Sequence, residues 1–295
     1  MVIFWCRSNF KIIKLKNKWL IKRKKLREKG RVMEGKISNW IKKGRSYYKK
    51  GQYDTALEMF KEVLNIYPTN ITALNKVGNI YYALNDLPEA LSIYNNLRSI
   101  CKRLGLLEKE RAVLEKIGRI YSLQGKYSIA TNVYLEALAI YDQIEPTETK
   151  PEEGKFLLLY NIGDLYKRKR NYSQALSLYK RLLQLHSEFG PLGGIADDLV
   201  EIGSILDKQK NFSEALNKFK EALQIYKVEN VLSKTAIALF EIGKIYYKLN
   251  QYSEALLYLD EALKGFKKLG LKEPDDYYYE KTKRLIKEIT KGRIK

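Results

Sequence analysis

An all-α fold of stacked helix pairs is the expectation for these 295 residues, and three observations predict it. First, a glycine recurs at Gly44, Gly78, Gly118, Gly163, Gly203 and Gly243, with an alanine twelve positions later at Ala56, Ala90, Ala130, Ala175, Ala215 and Ala255. Both series step by 34, 40, 45, 40 and 40 residues, the mark of one repeated unit. Second, each glycine is preceded by four positions by Trp40, Leu74, Leu114, Leu159, Leu199 or Leu239. It is followed by three positions by Tyr47, Tyr81, Tyr121, Tyr166, Leu206 or Tyr246. Spacings of four and three place these side chains on one helical stripe. Third, a ring or leucine follows each alanine by four (Phe60, Tyr94, Tyr134, Tyr179, Phe219, Leu259), which gives a second helix per unit. Glycine costs about 1 kcal/mol of helix propensity, so closer packing where the two helices cross must offset it. Neither helix can bury its stripe alone, and the units therefore stack.

Taken in order, residues 1–32 stand apart from the rest. They hold twelve Lys or Arg and one acid, Glu28, a net +11 out of +21 for the chain. Ile12, Leu15, Trp19 and Leu26 form an apolar stripe that Lys16 and Arg23 interrupt, an imperfect amphipathic helix. Three readings stay open: a basic arm for nucleic acid or an anionic membrane surface, a presequence, or a tail that includes sequence upstream of a start at Met33. The repeats are expected at about 37–70, 71–110, 111–154, 155–195, 196–235 and 236–270. Pro68 closes the first pair, because proline cannot extend the helix ladder, and Pro88 suits a helix start. The glycines around Lys102–Leu107 and Ser187–Ile195, including Gly193 and Gly194, read as chain reversals. The acidic, proline-bearing stretch from Asp142 to Lys155 reads as an exposed insertion. Residues 271–295 are expected to be a capping helix and basic tail, with Leu285, Ile286 and Ile289 covering the last repeat.

Trp40, Gly44, Tyr47, Ala56, Phe60 and Pro68 stand at the spacing of the tetratricopeptide pattern W-x2-L-G-x2-Y…A-x3-F…P, with Lys43 replacing the leucine. On those residues the chain resembles the tetratricopeptide repeat family. Its longer later units are similar to the branch found in kinesin light chains, Pins-type polarity scaffolds and bacterial peptide-pheromone receptors. The resemblance implies a right-handed α-solenoid of six such units, and a family that recognises many different partners.

An enzyme reading finds no convergent set of ionisable groups. The single histidine, His186, has no Cys, Ser or acid at nucleophile spacing and reads as a solvated or packing residue. Asp197 and Asp198, being adjacent, point to different sides of a helix. Cys6 and Cys101 are isolated, so neither a metal site nor a disulfide framework is expected, and no cofactor is called for. The 23 tyrosines fall mostly at core positions. These features point to a cytoplasmic, non-catalytic scaffold or adaptor.

The resemblance also implies where a partner would sit, since the first helices of such arrays line a concave groove. The corresponding positions hold Lys42, Arg45, Tyr48 and Lys49; Asn75, Lys76, Asn79 and Tyr82; and Glu115, Lys116 and Arg119. Later units place Tyr160, Asn161, Asp164, Lys167, Asp197, Glu201, Asp207, Glu241, Lys244 and Tyr247 there. The first half is basic and the second mixed to acidic. Asn79 and Asn161 match asparagines that in this family hold a peptide backbone, a task suited to an amide that both donates and accepts. The family's carboxylate clamp does not transfer, since Ile41, Lys76 and Ala112 replace its residues. The expected partner is a peptide or helix of another protein, acidic toward the basic half; the alternative is nucleic acid or membrane through residues 1–32.

Overall fold

A computed structural model describes residues 32–144, 153–270 and 277–292. Among them there are thirteen helices and no strand. Helix α1 covers residues 32–49. It is followed by α2 (Tyr53–Ile66), α3 (Ile71–Ala83), α4 (Leu87–Arg103), α5 (Leu107–Leu123), α6 (Tyr127–Ile144), α7 (Glu153–Arg168), α8 (Tyr172–Phe189) and α9 (Leu192–Lys208). Helices α10 (Phe212–Val228), α11 (Leu232–Lys248), α12 (Tyr252–Lys268) and α13 (Tyr277–Gly292) complete the chain. Two compact units are present, the first ending at Ile117 and the second beginning at Gly118, so the division falls within α5. The basic arm and most of the acidic insertion expected from the sequence lie outside the described residues.

The glycine register has a direct packing cause. A Cβ placed on Gly78 would stand 2.5 Å from the Tyr94 ring, and one on Gly118 2.5 Å from the Tyr134 ring. At Gly44, Gly163 and Gly203 the ring is Phe60, Tyr179 or Phe219 at 2.9 Å, and at Gly243 it is replaced by Leu259 at 2.7 Å. Each first helix thus lays its bare backbone against the large side chain sixteen residues on. The alanine one turn before that side chain is fully buried in all six pairs.

One backbone device closes every pair. Seven residues after each glycine the chain turns left-handed, at Gly51, Asn85, Gly125, Arg170, Lys210 and Asn250. The next N–H then reaches back to the carbonyl of the residue three past the glycine, as Asp86 does to Tyr81 at 2.8 Å and Asn211 to Leu206 at 2.9 Å. This satisfies an otherwise orphaned helix-end carbonyl. Glycine and asparagine adopt that conformation readily, whereas Arg170 and Lys210 do so at a cost of about 1 kcal/mol.

From α4 onward the helices run 16 to 18 residues, against 14 in α2 and 13 in α3. That added turn accounts for the longer later repeats. Two expectations are corrected. Gly193 and Gly194 do not reverse the chain but lie in the first turn of α9, where their missing side chains admit the Glu229 carboxylate and the His186 ring. On α13 the covering face is led by Tyr279, Thr282 and Ile289, while Leu285 and Ile286 are only half-buried. Tyr278 there packs on both Phe240 and Phe266.

Candidate functional site

In the first unit the open faces of α1, α3 and the start of α5 carry the expected basic residues. Lys116 organises them. Its ammonium donates to Asn75 Oδ1 at 2.5 Å and Asn79 Oδ1 at 2.9 Å, and the Tyr94 hydroxyl donates to the same Asn79 oxygen at 2.8 Å. An amide oxygen has two lone pairs, so Asn79 has both occupied and Asn75 keeps one. Asn79 therefore remains as an N–H donor only, suited to a carbonyl or carboxylate oxygen, while Asn75 can still both donate and accept. Lys76 places its ammonium 4.7 Å over the Tyr48 ring. Arg45 and Lys49 are exposed on α1, and Tyr82 is half-buried on α3.

Two clefts open on this face. The larger, about 800 Å³, runs along α1 and is lined by Ile37, Ile41, Lys42, Arg45, Lys49 and Tyr67 among others. The smaller, about 230 Å³, brings Arg45, Lys76, Lys109 and Lys116 together over Leu97 and Val113. Arg45 borders both. Tyr82 and Asn79 line neither; Asn79 is half-buried and accepts from Lys116.

The second unit treats its charges differently. Arg119 is exposed on α5. Asp164 on α7 is bound by Arg168 at 2.7 Å and lies 3.8 Å from Lys167. Lys167 also pairs with Glu201 of α9, which accepts from the Tyr160 hydroxyl at 3.1 Å. Asp197 takes both a Lys234 ammonium at 2.7 Å and the Tyr226 hydroxyl at 2.6 Å. Asp207 is held by Lys248 at 2.5 Å and approached by Lys244, which pairs with Glu241. The carboxylates expected to make this half acidic are thus paired with cations, Asp197, Glu201 and Asp207 with lysines of another helix and Asp164 and Glu241 with Arg168 and Lys244 of their own. Asn161 is half-buried on α7, and its amide has no hydrogen-bond partner among the described residues.

Repeat four contains an exception to this pairing. The Tyr179 hydroxyl is buried without a hydrogen-bond partner among the described residues. At the same register Tyr94 finds Asn79, but here Asp164 is engaged by Arg168. A buried unmade hydrogen bond costs about 1–3 kcal/mol, and Phe60 and Phe219 fill this register elsewhere. Tyr179→Phe is accordingly expected to raise stability by about 1 kcal/mol, read as a higher melting temperature; a lower one would show that the hydroxyl is satisfied.

His186 is a packing residue, one of its two expected roles, but it is not without an acid. Its Nδ1 lies 2.5 Å from Asp198 Oδ2, and its ring stacks on Phe156 with centroids 4.6 Å apart. Asp198 is almost wholly buried. Burial pushes its carboxyl up to about 6, opposed by the bond to His186 and aided by Asp197 and Glu201. The adjacent aspartates do diverge as expected, Asp198 toward α8 and Asp197 toward α10 and α11. A raised carboxylate stabilises the fold most below its unfolded value near 3.8, and that contribution is lost as pH rises through about 6. The melting temperature of the wild type relative to Asp198→Asn should therefore rise as pH is lowered from about 7 to about 4.5. A pH-independent difference would contradict this.

The family described as tetratricopeptide repeat matches residues 69–143 and 155–227, and again 236–264, with a TPR repeat match at residues 44–85. The chain belongs to the tetratricopeptide repeat family. A TPR repeat-containing protein of Methanocaldococcus jannaschii is 35% identical over 80 residues, which cover 25% of this chain and 14% of that relative's length. Among solved structures, a STAND-type signal transduction ATPase with a tetratricopeptide repeat sensor from Pyrococcus horikoshii superposes with a TM-score of 0.68 at 14% identity. The match covers 86% of this chain and 38% of that one. YrrB, a TPR protein with an unusual peptide-binding site, superposes with a TM-score of 0.51 at 17% identity over 76% of this chain and 97% of its own. At these identities the structural likeness shows the fold. No helix among the described residues is long and apolar enough to cross a membrane.

Proposed function

We propose that this tetratricopeptide repeat protein is a non-catalytic scaffold or adaptor of the cytoplasm that holds a segment of another protein against the open face of its first unit. The observation that carries this reading is an asymmetry of charge pairing. In the second unit Asp164, Asp197, Glu201, Asp207 and Glu241 are each bonded to a lysine or arginine. In the first unit Arg45, Lys49 and Lys76 have no carboxylate partner among the described residues and border clefts. Unpaired like charges gathered at a cleft raise the local potential and draw in the opposite sign. That YrrB carries a peptide-binding site on the same fold is consistent with this use.

The test uses a partner that co-purifies from the native organism. Arg45→Glu with Lys76→Glu is expected to slow its association and weaken binding by about tenfold or more, because complementary charge sets encounter rates and register. Lys61→Glu with Lys220→Glu, on the second helices α2 and α10, should change it little. Loss with the second pair and not the first would place the partner on the other surface.

A second reading rests on the twelve basic residues within 1–32. If that arm binds nucleic acid or anionic lipid, binding should be strong at low salt and fall steeply as salt rises. A chain beginning at Met33 should lose it, and equal binding by both chains would remove this reading.

A further inference from the structure

The paired clefts of the first unit define the chemistry of what they hold. We infer that they take an acidic segment of the partner with its carboxylates over the smaller cleft and an apolar side chain in the larger one; this rests on the scaffold reading above. Three features converge on it. Arg45, Lys76, Lys109 and Lys116 enter the smaller cleft from three different helices, and no acid lines it. Arg45, Lys76 and Lys109 have no carboxylate partner among the described residues, so an incoming anion displaces no existing ion pair. The N–H groups of Asn75 add donors at the rim, with its amide oxygen turned to Lys116.

The positive charge does not stop there. Lys42, Arg45 and Lys49 continue it along α1 beside the apolar surface of Ile37, Ile41 and Tyr67. From Lys42 to Lys49 a helix advances about 10 Å, which a single tetrahedral anion cannot span but a run of three or four extended residues can. The apolar floor of about 800 Å³ then favours a segment that alternates acids with a bulky aliphatic side chain. Glu34 at the far end sets a limit, because acids extending past it would meet like charge.

The full chain is titrated with three fluorescent octapeptides: glutamates with two central leucines, glutamates alone, and a serine peptide carrying one phosphoserine. The leucine-bearing acidic peptide should bind tightest, the all-glutamate peptide about tenfold more weakly, and the phosphoserine peptide weakest. Lys76→Glu with Lys109→Glu should weaken both glutamate peptides at least tenfold and flatten the salt dependence. Ile41→Ser should erase the advantage of the leucines and leave the all-glutamate peptide unchanged. Lys61→Glu with Lys102→Glu is the control for overall charge, and an equal loss there overturns the proposal. Preference for the phosphoserine peptide overturns it in favour of a phosphoryl group. If neither glutamate peptide binds while Arg45→Glu with Lys76→Glu still releases the native partner, the acidic assignment falls and the scaffold reading stands. If the partner is not released either, both fall.

Discussion

Ala215→Trp is expected to destabilise the chain by about 1–3 kcal/mol or more, with the damage centred on α9 and α10. Ala215 is fully buried in the first turn of α10, one turn before Phe219, whose ring already occupies the space at Gly203. An indole there has no void to enter, so the two helices must separate or the neighbouring rings leave their rotamers. Because repeat stability is set by nearest neighbours, hydrogen exchange should quicken in α8 to α11 while α3 and α4 keep their protection. A fully helical variant with unchanged melting would contradict the assigned register.

The second large effect is expected at Asp207, which is 5% exposed on α9 and bound by Lys248 with Lys244 3.7 Å away. Removing one partner of a fully buried ion pair costs about 3–5 kcal/mol. Here the lysine side chains keep a quarter to a third of their exposure, so water recovers part of that. Asp207→Ala should therefore lose about 1–2 kcal/mol, chiefly through the Lys248 ammonium left without its carboxylate, since Lys244 keeps Glu241. Asp207→Ala combined with Lys248→Met should recover much of it. Equal melting of the single and double variants would mean that the pair carries no coupling.

The fold was legible because its grammar is one of size. A glycine sixteen residues before a ring, or in the last pair a leucine, needs no knowledge of distant contacts, and all six instances pack as that spacing implies. Single residues that take unusual roles were not legible. Nothing in the letters Arg170 and Lys210 announces a left-handed backbone, since the fold imposes it against their preference. The Gly193–Gly194 pair looked like a turn, because consecutive glycines normally are one; their task is to admit a histidine ring and a carboxylate.

The charge pairing of the second unit was not read from the sequence. Three acids of the second unit are paired across helices, Asp207 with Lys248 at 41 residues, Asp197 with Lys234 at 37 and Glu201 with Lys167 at 34, so each of these links spans about one repeat. Opposite charges one repeat apart were a usable signal. The same offset joins Asn75 to Lys116 and Tyr160 to Glu201. The His186–Asp198 bond, by contrast, spans twelve residues around a helix junction, and no periodicity reports it.

The claim that a partner segment lies on the open face of the first unit is tested most directly by photo-crosslinking in the native organism. A benzophenone amino acid is placed in turn at Thr72, which lines the smaller cleft, and at Lys61, exposed on α2, and the attached peptides are sequenced. The account predicts that Thr72 captures one acidic stretch of a single partner and that Lys61 captures none of it. Capture of that partner from Lys61 with nothing attached at Thr72 would contradict it.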